Sequence, residues 1–319
     1  MRYIATQINE RLKQAQNILI IPHSNPDGDA LGSASALAEY LIGAGKKARV
    51  FCSKPIEANY DFIIAQETLE PNPAILSDNE IDLLVVVDSS DLRYTGLEGI
   101  ASHGAEIINI DHHVTNEKFG HYNMVKPTAS ATAEIIHEFF QHIGAAISPT
   151  MATALLAGII TDTGNFTNAA ATPAALSAAG DLLRRGADFG MIMARTQKNK
   201  SLGLLRLWGA ALSRLEKTEG DLAYTYLTLA DLRKFGLEEK DGGDGLSDFL
   251  NQLENARVAL VLKETADGKI KGSFRTTDNN TDVAAMAKKM GGGGHKKAAG
   301  FTADGSVEDV LKKILTMEE

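Results

Sequence analysis

Residues 17–42, NILIIPHSNPDGDALGSASALAEYLI, decide how the chain folds. Asn17–Pro22 is a near-continuous apolar run, the kind that is buried on both faces of a parallel sheet. Ala30–Ile42 carries apolar residues at helical spacing and stops before Gly43 and Gly45. Between them, His23-Ser24-Asn25-Pro26-Asp27-Gly28-Asp29-Ala30 leaves a strand and enters a helix. Such a step places the turn at the carboxyl edge of the sheet, where open α/β folds bind ligands.

The same alternation continues outward. Lys47–Ser53, Leu83–Val87 (LLVVV) and Glu106–Ile110 (EIINI) read as strands, while Ser148–Ile160 and Pro173–Arg185 read as helices. Residues 1–190 are therefore expected to form an α/β domain, a doubly wound and mostly parallel sheet with helices on both faces. Met191–Leu215 stays helical without a chemical motif and reads as a connector. Beyond it, Leu222–Leu229 alternates, Arg257–Glu264 and Lys269–Thr276 flank a hairpin turn at Asp267-Gly268, and Val283–Met290 is helical. A second, smaller α/β domain is expected over residues 216–319.

At 319 residues the chain exceeds what one core usually supports, and 44% hydrophobic with 23% charged residues is a globular composition. Cys52 is the sole cysteine, which excludes an intramolecular disulfide and thiolate-rich metal sites. No stretch approaches the roughly 20 apolar residues of a membrane span, and the start MRYIATQINERLKQAQ lacks the apolar centre of a signal peptide. A cytoplasmic protein without a membrane partner is expected. A formal charge of −9 is wrong for coating long duplex nucleic acid and suits small or short substrates.

Four segments bring titratable groups to what should be one sheet edge. The first is the turn already quoted, in which Asp27 and Asp29 need not point the same way because Gly28 leaves the chain free to bend. An ordinary turn in which Asp29 caps the helix is the competing reading. Asp88 ends the strand LLVVV, and Asp111-His112-His113 follows EIINI. Asp162, in GIITDTGNF, ends an apolar helix where a negative charge opposes the helix dipole unless a cation offsets it. Imidazole and carboxylate without sulfur point to manganese or magnesium rather than structural zinc. Ser33 and Thr163 lie beside these residues and read equally as supports for them or as helix-surface groups. His103, His121, His137 and His142 match no motif and read as ordinary histidines, and Trp208 reads as a packing residue.

Near the other end, Gly291-Gly292-Gly293-Gly294-His295 follows a helix and precedes Lys296-Lys297. A run without side chains lets backbone N–H groups approach an anion, and residues 263–297, which include Arg275, are basic in an otherwise acidic chain. No base-reading aromatic pair is present.

HSNPDGDALGS, VVVDSSD, IDHH and GIITDTGNF, in that order, resemble the four motifs of the DHH phosphoesterase superfamily, and GGGGHKKAAGF resembles the signature of its accessory DHHA1 domain. Length and motif spacing resemble the NrnA-type branch, oligoribonucleases for very short RNA that also dephosphorylate 3′-phosphoadenosine 5′-phosphate. The resemblance implies two divalent cations, Mn²⁺ first and Mg²⁺ or Co²⁺ as alternatives. One ion would sit on His23, Asp27 and Asp88, the other on Asp29, Asp88, His112 and Asp162, with Asp88 as the catalytic bridge. It further implies His113 beside the scissile phosphate as a donor of a proton or hydrogen bond. The second domain would close over the metal edge, with Arg275, His295 and the backbone of Gly292, Gly293 and Gly294 holding the far end of a short RNA or small nucleotide. A homodimer is left open. Three other readings remain: a cyclic- or linear-dinucleotide phosphodiesterase, a pyrophosphatase or exopolyphosphatase, and a catalytically silent nucleotide-binding regulator.

Overall fold

The computed structural model describes residues 2–197, 200–239 and 245–316. The chain divides into two compact units, Met1–Asn199 and Lys200–Glu319. Residues 198 and 199 of the expected connector, 240–244 of the expected second domain, and the end residues 1 and 317–319 lie outside the described residues.

In the first unit the order is α1 (Arg2–Gln14), β1 (Asn17–Ile21), α2 (Gly28–Gly43), β2 (Lys47–Phe51), β3 (Leu69–Glu70), β4 (Leu83–Val87) and β5 (Glu106–Asp111). It continues with β6 (Tyr122–Val125), α3 (Thr132–Ile143), α4 (Pro149–Asp162), α5 (Pro173–Arg184) and α6 (Phe189–Thr196). The six strands form one sheet in the order β3-β2-β1-β4-β5-β6, and every pairing is parallel. Strand order therefore reverses between β1 and β4. Loops leaving their carboxyl ends part to opposite sides, and a crevice opens between them.

Residues along each strand alternate between two cores. Ile18, Ile20, Leu83, Val85, Ile108 and Ile110 face a large core completed by the helices. Leu19, Ile21, Leu84, Val86 and Ile107 face a smaller one with Ile75, Leu97 and Ile100. The sequence predicts helices here too, but short 3₁₀ turns, Pro73–Ser77, Leu92–Thr95 and Ile100–Ser102, cover this face. Pro71 and Pro73 interrupt one crossover, and Gly96 and Gly99, at φ 72° and 83°, interrupt the other. Within the helical layer α2 and α4 meet at backbone distance. A Cβ on Gly32 would lie 2.2 Å from the Ala154 carbonyl oxygen, and one on Gly158 would lie 2.8 Å from Asp29 Oδ1.

The second unit contains α7 (Leu202–Leu212), β7 (Glu216–Lys217), β8 (Leu222–Leu227), α8 (Leu229–Lys234), α9 (Leu246–Leu250) and β9 (Val258–Glu264). β10 (Lys269–Arg275), α10 (Val283–Lys289), β11 (Gly293–His295), β12 (Ala298–Asp304) and α11 (Val307–Leu315) complete it. Its sheet runs β11-β12-β10-β9-β8-β7, parallel between β8 and β9 and antiparallel elsewhere. Leu260, Phe274 and Phe301 pack with α10 and α11 on one face, and Val261 packs with α7, α8 and α9 on the other. The helical stretch 191–215 is thus divided: α6 falls in the first unit and α7 in the second. Trp208, on α7, is a core residue whose ring lies 5.6 Å from that of Phe249.

Candidate metal centre

The crevice between β1 and β4 is where the four sequence motifs converge. The turn after β1 carries His23 and Asp27, Asp29 stands in the first turn of α2, and Asp88 stands one residue beyond β4. Asp88 has φ 55°, a left-handed conformation that an aspartate tolerates better than most residues. His112 and His113 follow β5, and Asp162 is the last residue of α4. Two ligand groups hold the six expected ligands, His23, Asp27 and Asp88 in one and Asp29, His112 and Asp162 in the other, and a third, Asp88, His112 and His113, overlaps both. The carboxylate of Asp88 spans the first two. Its Oδ2 lies 3.6 Å from His23 Nε2, and its Oδ1 lies 3.6 Å from His112 Nε2. His112 Nε2 is in turn 3.2 Å from Asp162 Oδ2.

The remaining polar partners fix these side chains. Asp27, not Asp29, is the N-cap of α2 and accepts from the amides of Asp29 and Ala30 at 3.0 and 3.1 Å. This corrects the competing reading that gave Asp29 the cap. Asp29 is fully buried and accepts from Thr132 N at 2.6 Å, Ala133 N at 2.8 Å and Ser33 Oγ at 3.4 Å. Thr132 Oγ1 donates to Asp88 Oδ1 at 2.9 Å. His113 Nδ1 is bonded to Asp111 Oδ1 at 2.7 Å, which occupies that nitrogen and leaves Nε2 directed elsewhere. Asp111 is itself buried and accepts from Asn116 Nδ2 at 2.6 Å.

Packing so many carboxylates together has an electrostatic cost. Burial, then the charges of Asp29, Asp27, Asp162 and Asp111, raises Asp88 well above the carboxylate range. Asp162 is pushed up to about 9 by burial and by Asp29, Asp27 and Asp111. Burial also raises Asp29, reinforced by Asp27. Asp27 and Asp111 end below the usual range: at Asp27 the nearby His23, 3.9 Å away, and the Ala30 and Asp29 amides outweigh burial, and at Asp111 the bonds from His113 and Asn116 do. The Asp111 bond raises His113. A cluster in which carboxylates repel one another this strongly, around nitrogen and oxygen atoms already converged, has the donor chemistry of a divalent-cation site.

Thr132 and Asn116 carry no signal in the sequence, and Asp111, though named there with His112 and His113, gives no sign that it holds His113. Thr132 begins a helix in an unremarkable stretch, and nothing local shows that it reaches Asp88. Tyr60 is another such residue: burial and the charges of Asp27, Glu57 and Asp162 push its hydroxyl up to about 12. Thr163 Oγ1 bonds back to Ile159 O at 2.6 Å and serves its own helix. His103, His121, His137 and His142 each have a partner away from the cluster.

In the second unit Arg275, Ala298 and His295 occupy one row across β10, β12 and β11. Directly paired residues share a face, so Arg275 and His295 lie on the same side of the sheet, about 10 Å apart. Arg275 Nε donates to Asp248 Oδ1 at 2.7 Å and Nη1 to Phe274 O at 3.0 Å. The glycine run is split. Gly291, at φ 79°, closes α10, and Gly293 and Gly294 form the edge strand β11, where a Cβ on Gly294 would meet Ala298 O at 2.6 Å. A Cβ on Gly292 would lie 2.1 Å from Gly300 O.

A carboxylate–imidazole cluster at the switch point of a parallel sheet, followed by a separate α/β unit with a basic segment over residues 263–297, is the build of a metal-dependent hydrolase. The family model described as the DHH family, N-terminal domain, matches residues 17–159, and the DHHA1 domain matches residues 219–317. The chain belongs to the DHH family. It is 32% identical to the bifunctional oligoribonuclease and PAP phosphatase NrnA of Thermus thermophilus, across 99% of this chain and 92% of that protein. It is 25% identical to the protein of that description from Bacillus subtilis, across 92% of each. The crystal structure of an exopolyphosphatase-related protein from Bacteroides fragilis shares the fold, with TM-score 0.90, 23% identity, and coverage of 100% of this chain and 96% of that one. Among the described residues, no helix is long and apolar enough to cross a membrane.

Proposed function

We propose that the protein hydrolyses short oligoribonucleotides to mononucleotides and removes the 3′-phosphate of 3′-phosphoadenosine 5′-phosphate, using two divalent cations, Mn²⁺ foremost. The observation that carries this is the single Asp88 carboxylate whose two oxygens face two different ligand groups. One ion is held by His23, Asp27 and Asp88, the other by Asp29, Asp88, His112 and Asp162. When bound, a pair of ions of this kind supplies an activated water and charge stabilisation for in-line displacement at phosphorus.

The side chains then have separate tasks. Asp88 holds the two groups in one frame. His113, oriented by Asp111, offers Nε2–H to the phosphate or the departing oxygen. Arg275 and His295 hold the remote phosphate or base beside the glycine run, in which Gly293 and Gly294 are the candidate backbone donors, because the Gly292 N–H is already spent on Ala287 O at 2.8 Å. A grip separate from the cage favours very short chains irrespective of base sequence. The oligoribonuclease and PAP phosphatase activities of the full-length relatives support this choice.

The deciding experiment is Asp88→Ala assayed with Mn²⁺ on a panel of 3′-phosphoadenosine 5′-phosphate, di- to decaribonucleotides, linear and cyclic di-AMP and pyrophosphate. Activity on dinucleotide should fall by about 10³-fold or more, because both ions lose a ligand at once. Near-normal turnover in a folded Asp88→Ala variant refutes the two-ion reading, and a wild type active mainly on pyrophosphate refutes the nucleotide reading.

A further inference from the structure

Thr132 is the first residue of α3 and is fully buried. A threonine at the start of a helix ordinarily spends its hydroxyl on its own backbone, as a cap or a bond to a nearby carbonyl. This one does not. Its Oγ1 crosses to Asp88 Oδ1 at 2.9 Å, while its amide donates to Asp29 Oδ2 at 2.6 Å. The next amide, Ala133 N, donates to the other oxygen of Asp29 at 2.8 Å. The preceding residue, Ala131, has no side chain able to cap, and the carboxylate of Asp29 takes that place from another helix.

Asp29 and Asp88 belong to different ligand groups, and Asp88 also joins the two. We propose that Thr132 is a positioning residue for both ion sites: from one point on α3 it fixes the carboxylates of Asp29 and Asp88, and so sets the spacing between the two ions. The inference rests on the two-ion reading above and adds to it a residue outside the ligand set. The physical reason is that an ionised carboxylate turns freely about its terminal bond unless donors pin it. Asp29 is pinned by two amides in line with the positive end of α3. Asp88 has Thr132 as its hydroxyl donor, and a shared carboxylate is the one whose rotation disturbs two ions at once.

Thr132→Val keeps the volume and both backbone amides and removes only the hydroxyl, whereas Thr132→Ser keeps the hydroxyl. Calorimetric titration of the ion-free full chain with Mn²⁺, with circular dichroism as the fold control, separates them. Wild type should take up two ions. Thr132→Val should bind at least one of them about 10- to 100-fold more weakly, and Thr132→Ser should stay within about threefold of wild type. With dinucleotide at saturating Mn²⁺, Thr132→Val should lower kcat and leave KM nearly unchanged, since the remote grip is untouched. Two wild-type sites together with unaltered Mn²⁺ affinity in Thr132→Val overturn the proposal alone, as does Thr132→Ser binding as weakly as Thr132→Val. A wild type that takes up no Mn²⁺ overturns the two-ion reading and this inference with it.

Discussion

Replacing Asp162 by asparagine should move stability in opposite directions with and without metal. Without ions, Asp162 titrates at about 9 against 3.8 for a free side chain, because burial and the charges of Asp29, Asp27 and Asp111 disfavour its anion. As pH rises past 3.8 the unfolded chain releases this proton while the folded chain keeps it until about 9, so stability falls throughout that window. The slope is about 1.4 kcal/mol per pH unit for one such group, which accumulates to on the order of 4 kcal/mol by pH 7. Asparagine has the same shape and nothing to titrate. Ion-free Asp162→Asn should therefore melt on the order of 10 °C above ion-free wild type at pH 7, for a unit of this size. Its dependence on pH between 5 and 8 should be shallower, with Asp88 leaving a residual slope. Saturating Mn²⁺ should reverse the order, because wild type gains stability from bound ions and the variant has lost an anionic ligand. Thermal melts in chelator and in Mn²⁺, from pH 5 to 8.5, read all of this. An ion-free variant that melts below wild type at pH 7, or that keeps the full pH slope, refutes the claim that mutual repulsion governs this cluster.

Two further outcomes separate grip from chemistry. Arg275→Ala should leave Mn²⁺ stoichiometry and cleavage of a minimal activated phosphodiester nearly intact while kcat/KM for dinucleotide falls roughly 10- to 150-fold, the value of one charge-assisted contact of about 1.5–3 kcal/mol; equal losses on every substrate would count against a remote grip. His113→Ala should retain both ions in a metal titration and lose about 10²- to 10⁴-fold in kcat; weakened ion binding would make His113 a ligand instead.

Much of the site was legible because strand ends announce themselves. NILIIP, LLVVV and EIINI are bounded apolar runs, so the residues that follow each had to share one edge of one sheet. The ligand groups needed only that, plus the end of α4. What the sequence hid were bonds between distant residues. Thr132 meets Asp88 across 44 positions, and Arg275 is held by Asp248 from α9; neither pairing leaves a local pattern. The cap of α2 was misplaced because DGD offers two equivalent aspartates, and only the backbone geometry at Asp27, φ −97° and ψ −165°, decides between them. The second face of the sheet was misjudged because strands buried on both sides do not reveal what covers them, and 3₁₀ turns with prolines and glycines cover it as well as helices would.

The close approach of α2 and α4 bears on which ions the site can accept. Asp29 stands in the first turn of one helix and Asp162 at the end of the other, and Gly158, one turn before Asp162, touches Asp29. With Gly32 against the Ala154 carbonyl, the helices are already at backbone contact and cannot draw nearer. Moving them apart opens a void along a buried interface, which costs stability in proportion to its volume. The gap between the two carboxylates is thus held from both sides by covalent dimensions rather than by flexible side chains. Under the two-ion proposal, a frame of that stiffness is expected to favour cations with metal–oxygen bonds near the roughly 2.0–2.1 Å of Mg²⁺ over Ca²⁺, whose bonds of about 2.3–2.6 Å and larger ligand number demand a wider, more yielding cavity.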